Sequence, residues 1–68
     1  MLEALREWRR ATAREHNVPA YVVFHDATLE AIAAARPRTL DELGGISGIG
    51  AKKLERYGPA LLALLADS

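Results

Sequence analysis

The fold of this chain is decided by the central stretch Thr39-Leu40-Asp41-Glu42-Leu43-Gly44-Gly45-Ile46-Ser47-Gly48-Ile49-Gly50. Thr39 and Glu42 match the capping box, in which the threonine hydroxyl accepts from the third backbone N–H and the glutamate reaches back to the cap. The box predicts a short helix over residues 40–43, ended by the glycine pair that follows. A glycine-punctuated turn over residues 46–50 then leads into another helix.

Helical spacing also dominates the sequence before this stretch. Apolar or small residues recur every three or four positions over residues 2–16, which predicts a helix that the Asn17-Val18-Pro19 run ends. Residues 20–24 are apolar and rich in β-branched and aromatic types, but a lone five-residue strand would have no partner. A short helical turn packed in the core is therefore the better interpretation. Asp26 is expected to cap the next helix, its carboxylate accepting from the backbone N–H of Thr28 or Leu29.

Prolines set the remaining expectations about helix ends. Pro37 should end the helix that follows Asp26, because proline cannot donate the next helical hydrogen bond. Apolar positions continue at helical spacing from Ala51 onward, and Pro59 should kink or restart this last helix near Gly58. The sequence therefore predicts an all-α, single compact five-helix domain.

Composition bounds what such a domain can do. Half of the 68 residues are apolar and 26% are charged, there is no cysteine, and the net charge is zero. These values exclude a disordered chain and a disulfide scaffold, and they leave too small a core for a substrate pocket of several hundred cubic ångströms. The longest apolar run, residues 60–66, is too short to span a membrane, and the charged first turn is unlike a signal peptide. We therefore expect a cytoplasmic protein. Because the helical pattern runs from residue 2 nearly to residue 67, we expect residues 1–68 to be one domain of a longer chain.

The turn at residues 46–50 is a candidate anion site. Glycines let a backbone come close to a partner, and the free N–H groups at the start of the following helix can hold a phosphate. Lys52, Lys53 and Arg56 lie in the first turns of that helix and would reinforce the site. The alternative is a glycine hairpin that only packs two helices together.

The apolar pair, the glycines and the second helix resemble the helix-hairpin-helix signature, in the form Leu40-x-x-Leu43-x-x-Ile46-x-Gly48-Ile49-Gly50-x-x-x-Leu54. Nearly the whole chain resembles the HRDC (helicase and RNase D C-terminal) family, most like the HRDC domains of bacterial RecQ helicases. The segments that carry this resemblance are Leu5-Arg6-x-Trp8-Arg9, Ala13, Val18-Pro19-Ala20-Tyr21-Val22-Val23-Phe24, Asp26-Ala27-Thr28-Leu29 and Gly48-Ile49-Gly50-x-Lys52-Lys53-Leu54-x-Arg56-Tyr57-Gly58.

The resemblance implies a non-catalytic accessory domain attached to a DExH-type helicase core or, less often, to a 3′ exonuclease. ATP and magnesium would serve only that core, and the domain itself would need no cofactor. It also implies that the tyrosine at position 21 contacts single-stranded nucleic acid, although the residue alone fits a core tyrosine equally well. The expected partners are single-stranded or junction DNA, bound weakly, and the helicase core or neighbouring domains of the same chain, with the domain itself a monomer.

Positive charge is concentrated in two segments although the net charge of the chain is zero. Residues 6–14 hold four arginines and one glutamate, a net charge of +3, and residues 36–56 carry +2. A solvated helix face is the alternative for the arginines, and Glu7 departs from the basic character of DNA-binding members. The candidate nucleic-acid-binding residues are Tyr21, Ile49, Gly50, Lys52, Lys53, Arg56, Arg9 and Arg10.

Other residues are expected to be structural. Trp8 lies on an apolar helix face and should fill the core. His16 and His25 have no cysteine near them and are expected at helix ends or in loops rather than at a metal. Because acidic residues accompany the basic ones, a regulatory module that docks on the helicase core remains the alternative function.

Overall fold

A computed structural model describes residues 1–67, and every regular element within that range is helical. The elements are α1 (Leu2–Glu15), α2 (Ala20–Val23), α3 (Asp26–Ala35), α4 (Leu40–Gly44) and α5 (Ala51–Ala66). Helix α1 packs on α2 and α3, and α4 packs on α5. The predicted five-helix, all-α fold is confirmed, including the single helical turn at α2.

Helix α1 ends at Glu15, just before the Asn17-Val18-Pro19 run that was expected to end it. Asn17 has a left-handed backbone (φ 56°), its amide donates to the Arg14 carbonyl, and the Val18 amide donates to the Ala13 carbonyl. These two hydrogen bonds form the Schellman motif, which satisfies carbonyls at a helix end. Asparagine adopts the left-handed conformation more readily than most residues, so Asn17 ends the helix and turns the chain toward α2.

Helix α3 begins differently from the prediction. His25 is the N-cap residue, and its main-chain carbonyl accepts from the amides of Thr28 and Leu29. The expected capping role of Asp26 is wrong, because the Asp26 carboxylate instead forms an ion pair with Arg9 of α1.

The capping box of α4 is confirmed in its first half. The Glu42 amide donates to the Thr39 hydroxyl over 3.1 Å. The Glu42 carboxylate reaches back, but it accepts from the amide of Arg38 over 2.8 Å, one residue before the cap. Helix α4 is thus held at its start by both side chains, although one contact is shifted from the expected donor.

Helix α5 is continuous through Pro59, so the expectation of a restart near Gly58 is wrong, and the alternative of a kink there stays a prediction. Gly58 is buried, and a Cβ there would lie 2.8 Å from Cδ2 of Leu40 and 3.4 Å from Cδ1 of Leu54. Leu61, one turn further on, is fully buried. Packing on both sides of the proline therefore compensates for the single helical hydrogen bond that it removes.

The core joins all five helices. Its fully buried large side chains are Phe24, Leu5, Leu29, Ile32, Leu43, Leu61 and Val23. Trp8 packs against this core as expected, with its ring centroid 6.1 Å from that of Phe24 and 5.7 Å from that of Tyr57. None of the helices formed by residues 1–67 is long and apolar enough to cross a membrane.

The hairpin between α4 and α5 depends on one glycine. Gly48 has a φ of +96°, a region that favours glycine, and a Cβ there would overlap the Thr28 hydroxyl of α3. The hairpin therefore lies directly against α3, and this contact helps to set the position at which α5 begins.

Candidate nucleic-acid interface

The first turn of α5 presents unpaired backbone donors. Gly50 caps the helix without a side-chain hydrogen bond, and the first bond within the helix runs from the Leu54 amide to the Gly50 carbonyl over 2.9 Å. The amides of residues 51–53 precede that bond and have no acceptor inside the helix. They also lie at the positive end of the helix dipole, which favours a nearby anion.

Cationic side chains surround this helix start. Val22 of α2 and Tyr57 of α5 share a surface depression of about 650 Å³, which we name the α5 groove, with Lys52, Lys53, Glu55 and Arg56. Lys52 and Arg56 are exposed, and Lys53 is half-buried. No ion pair within residues 1–67 involves these three cations, since the recorded pairs both belong to arginines of α1. The α5 groove therefore presents three cations and one acidic side chain.

The ammonium group of Lys53 also lies over an aromatic ring. Its Nζ lies 5.4 Å from the centroid of the buried Phe24 ring, within the range of a cation–π interaction. Phe24 immediately follows α2. The contact therefore joins the start of α5 to the end of α2, the element that carries Tyr21.

Tyr21 is exposed at the surface of α2. Its exposed fraction is 61%, and that of its neighbour Val22 is 44%. The interpretation of Tyr21 as a core tyrosine is therefore wrong, and its ring is accessible for stacking. Val22, the next residue of α2, lines the α5 groove, whereas Tyr21 itself is not among the residues that line it.

Ile49 and Gly50 have different environments in the hairpin. The Ile49 side chain is buried, and its amide donates to the Ile46 carbonyl over 3.2 Å. That amide already has an acceptor, so Ile49 supports the turn from inside. Gly50 is exposed, and nothing lies within 4 Å of the position that a Cβ would take there.

Arg9 and Arg10 of α1 lie outside the α5 groove. The Arg9 guanidinium donates to the Phe24 carbonyl over 2.9 Å and pairs with the Asp26 carboxylate at 2.7 Å, and its side chain is only 13% exposed. Arg10 is exposed and pairs with Glu7 at 3.3 Å. Arg9 therefore links α1 to the junction of α2 and α3, and Arg10 belongs to a separate depression with Glu3 and Glu7.

The Arg9–Asp26 pair also affects the titration of Asp26. The Arg9 hydrogen bond and, next, its positive charge lower the pKa of the Asp26 carboxyl below its ordinary value. The charges of Arg6 and His25 contribute in the same direction, and partial desolvation opposes them. The contact with Arg9 therefore favours the ionised form of Asp26.

The two histidines lie at helix ends, as expected. His16 is the C-cap residue of α1, and His25 is the N-cap residue of α3. Residues 1–67 hold no group of three His, Cys, Asp or Glu side chains that could bind a metal ion. The sequence interpretation did not identify the contact between the His25 and Tyr21 rings, although their separation by four positions was visible.

The structure has the expected five helices and glycine hairpin. Comparison with known proteins supports the HRDC resemblance. The family model described as "HRDC domain" matches residues 1–65. The chain therefore belongs to the HRDC family, a group of non-catalytic accessory domains.

Solved and curated relatives agree with this assignment. The structure of "D. radiodurans RecQ HRDC domain 3" superposes with a TM-score of 0.93 at 48% identity, covering 97% of this chain and 87% of that one. The ATP-dependent DNA helicase UvrD2 of Mycobacterium tuberculosis is 54% identical over 65 residues, which cover 96% of this chain. The ATP-dependent DNA helicase RecQ of Pasteurella multocida is 41% identical over 61 residues, or 90% of this chain.

The similarity covers only a small part of these helicases. The matched residues make up 9% of UvrD2 and 10% of RecQ, so the chain spans about a tenth of the curated relatives it matches. The expected similarity to RecQ is confirmed, and the match to UvrD2 extends the relationship to a second type of DNA helicase.

Proposed function

We propose that this domain makes weak, sequence-independent contact with single-stranded DNA or with the junction between single and double strands. The observation that carries the proposal is the α5 groove, where Lys52, Lys53 and Arg56 stand without internal ion pairs beside the amides that begin α5. Phosphates would bind these cations and the amides from Gly50 onward, and an unpaired base would stack on Tyr21. The contact positions the substrate of an attached helicase.

The number of phosphate contacts in the groove determines the expected strength of binding. Each neutralised phosphate of a single strand contributes a slope of about −0.7 to the dependence of log affinity on log salt. Three or four contacts therefore give a slope of about −2 to −3, with a dissociation constant of about ten micromolar or weaker at roughly 0.1 M salt. The zero net charge of the domain is consistent with such weak capture, because no strong long-range field draws DNA toward it.

Fluorescence anisotropy with a labelled poly(dT) strand tests the proposal. Titrations at several salt concentrations should give the slope above, and Tyr21→Ala should weaken binding by about fivefold or more through loss of stacking. Leu40→Ala is a matched control, because it removes an exposed apolar side chain that lies outside the α5 groove. Absence of binding at low salt, or binding of equal strength in all three proteins, would contradict the proposal.

We propose that the parent protein is an ATP-dependent DNA helicase acting in DNA repair or recombination. The relatives that share this domain are named as DNA helicases, and their remaining nine-tenths lie outside the matched segment. ATP and magnesium would bind that remaining part, and the domain would be a monomeric module within it. Helicase motifs in the reading frame adjoining these residues would support the assignment, and their absence would overturn it.

A second candidate function is docking on the helicase core, and one surface favours it. Leu40, the first residue of α4, is 45% exposed, and the exposed carboxylates of Asp41 and Glu42 follow it directly. An exposed apolar side chain beside two carboxylates suits contact with a protein surface of complementary charge better than contact with DNA, whose phosphates the carboxylates would repel. In the parent protein, Leu40→Ser should then change the coupling of ATP hydrolysis to DNA while leaving DNA binding by the isolated domain intact. Unchanged coupling would exclude this surface.

A further inference from the structure

Tyr21 has a neighbouring ring at the surface. The rings of Tyr21 and His25 have centroids 6.1 Å apart and planes inclined by only 24°. Both residues are exposed. The two rings are nearly parallel and stacked on each other, so they form one exposed aromatic pair.

Arg9 binds the residues on both sides of His25 in the chain. The carbonyl of Phe24, immediately before His25, accepts from the Arg9 guanidinium, and the carboxylate of Asp26, immediately after it, pairs with the same group. The His25 carbonyl accepts from two amides of α3. These contacts fix the main chain around His25, and the His25 ring takes no part in them.

The His25 ring has no hydrogen bond that would explain it as a structural group. None of the side-chain hydrogen bonds found within residues 1–67 involves its nitrogens, and it does not cap α3. Its one ring contact is with Tyr21. Tyr57, by comparison, is buried and contacts both Trp8 and Phe24, as expected of an aromatic residue that stabilises the core.

We propose that Tyr21 and His25 together form a base-stacking site for one unpaired nucleobase of single-stranded DNA. The inference rests on the proposed function, in which an unpaired base stacks on Tyr21, and adds a second residue, His25, to that stacking site. Aromatic rings stack on any base, since every base has a π face, so the site is tolerant of sequence. In this proposal Lys53, which lies over the ring of Phe24 immediately before His25, would neutralise a phosphate adjoining the stacked base.

The experiment compares two strands of equal length, poly(dT) and a strand of abasic sites, by anisotropy at low salt. The abasic strand keeps the phosphates and lacks the bases, so it reports the α5 groove alone. His25→Ala should weaken binding of poly(dT) by about fivefold and leave binding of the abasic strand unchanged. His25→Phe, which keeps a ring at this position, should bind poly(dT) within about twofold of the wild type.

His16→Ala is the matched control, because it removes the other exposed histidine at a helix end, and it should not change binding of either strand. Circular dichroism of each variant establishes that the fold is retained. The inference is overturned if His25→Ala binds poly(dT) as tightly as the wild type, if it weakens both strands equally, or if His25→Phe is as weak as His25→Ala. Failure of the proposed function gives a different result, in which the wild type binds neither strand.

Discussion

Helix α1 and the first turns of α5 both carry clustered cations, but the cations of the two regions have different partners. In α1, Arg9 is nearly buried in a link to Phe24 and Asp26, and Arg10 pairs with Glu7. In α5, Lys52 and Arg56 are exposed beside unpaired amides. Arg6 and Arg14 of α1 are exposed as well, so the feature that distinguishes α5 is the set of unpaired amides beside its cations, and on this ground we propose the start of α5 as the binding surface.

The largest effect should appear in the stability of the fold. Arg9→Met should lower the free energy of unfolding by about 1–3 kcal/mol, because it removes hydrogen bonds from a charged donor to the α2–α3 junction. Arg10→Met should change it by less than about 0.5 kcal/mol, since an exposed ion pair contributes little. Urea denaturation followed by circular dichroism measures both. Equal losses of stability in the two variants would contradict the different structural roles assigned to Arg9 and Arg10.

The next effect concerns DNA and compares the two regions directly. Lys52→Glu combined with Arg56→Glu should weaken binding of poly(dT) by about tenfold or more and flatten the salt slope by about 1.4, because two phosphate contacts are lost. Arg6→Glu combined with Arg10→Glu makes the same change of charge on α1. This second variant should weaken binding by less than about threefold, through long-range repulsion alone. Equal loss in both double variants would show that net charge, and not the α5 groove, determines binding.

The smallest effect is a dependence of stability on pH. The pKa of Asp26 is lowered in the folded protein, first by the Arg9 hydrogen bond, so its contribution to stability is present above the ordinary pKa of an aspartate. This contribution is lost as the pH falls through the folded-state pKa. Asp26→Asn should therefore be less stable than the wild type near neutral pH, and the difference should shrink on acidification. A difference that stays constant from neutral to strongly acidic pH would contradict the assigned pairing.

The parts of the fold that depend on local sequence could be predicted. The capping box at Thr39, the glycine turn and the short helix at α2 follow from residue types within a few positions of one another. The same local signals identified Lys52, Lys53 and Arg56 as a group, because all three lie in the first turns of one helix.

The remaining features depend on contacts between distant residues. Asp26 has an ordinary capping sequence, yet Arg9 of another helix offers its carboxylate a charged hydrogen bond, and the backbone carbonyl of His25 takes over the cap. Pro59 follows the rule for a broken helix, but packing around Gly58 holds α5 continuous. The Tyr21–His25 stack likewise depends on the extended backbone of Phe24 between two helices, which residue types alone do not specify.

A map of amide chemical-shift changes on adding poly(dT) to the domain at low salt tests most directly where DNA binds. We expect changes concentrated at residues 21–25, which include the aromatic pair, and at residues 50–56, which include the start of α5. Little change is expected along the exposed arginines of α1, Arg6, Arg10 and Arg14. Shifts centred on those arginines, with the start of α5 unaffected, would show that α1 and not α5 binds DNA.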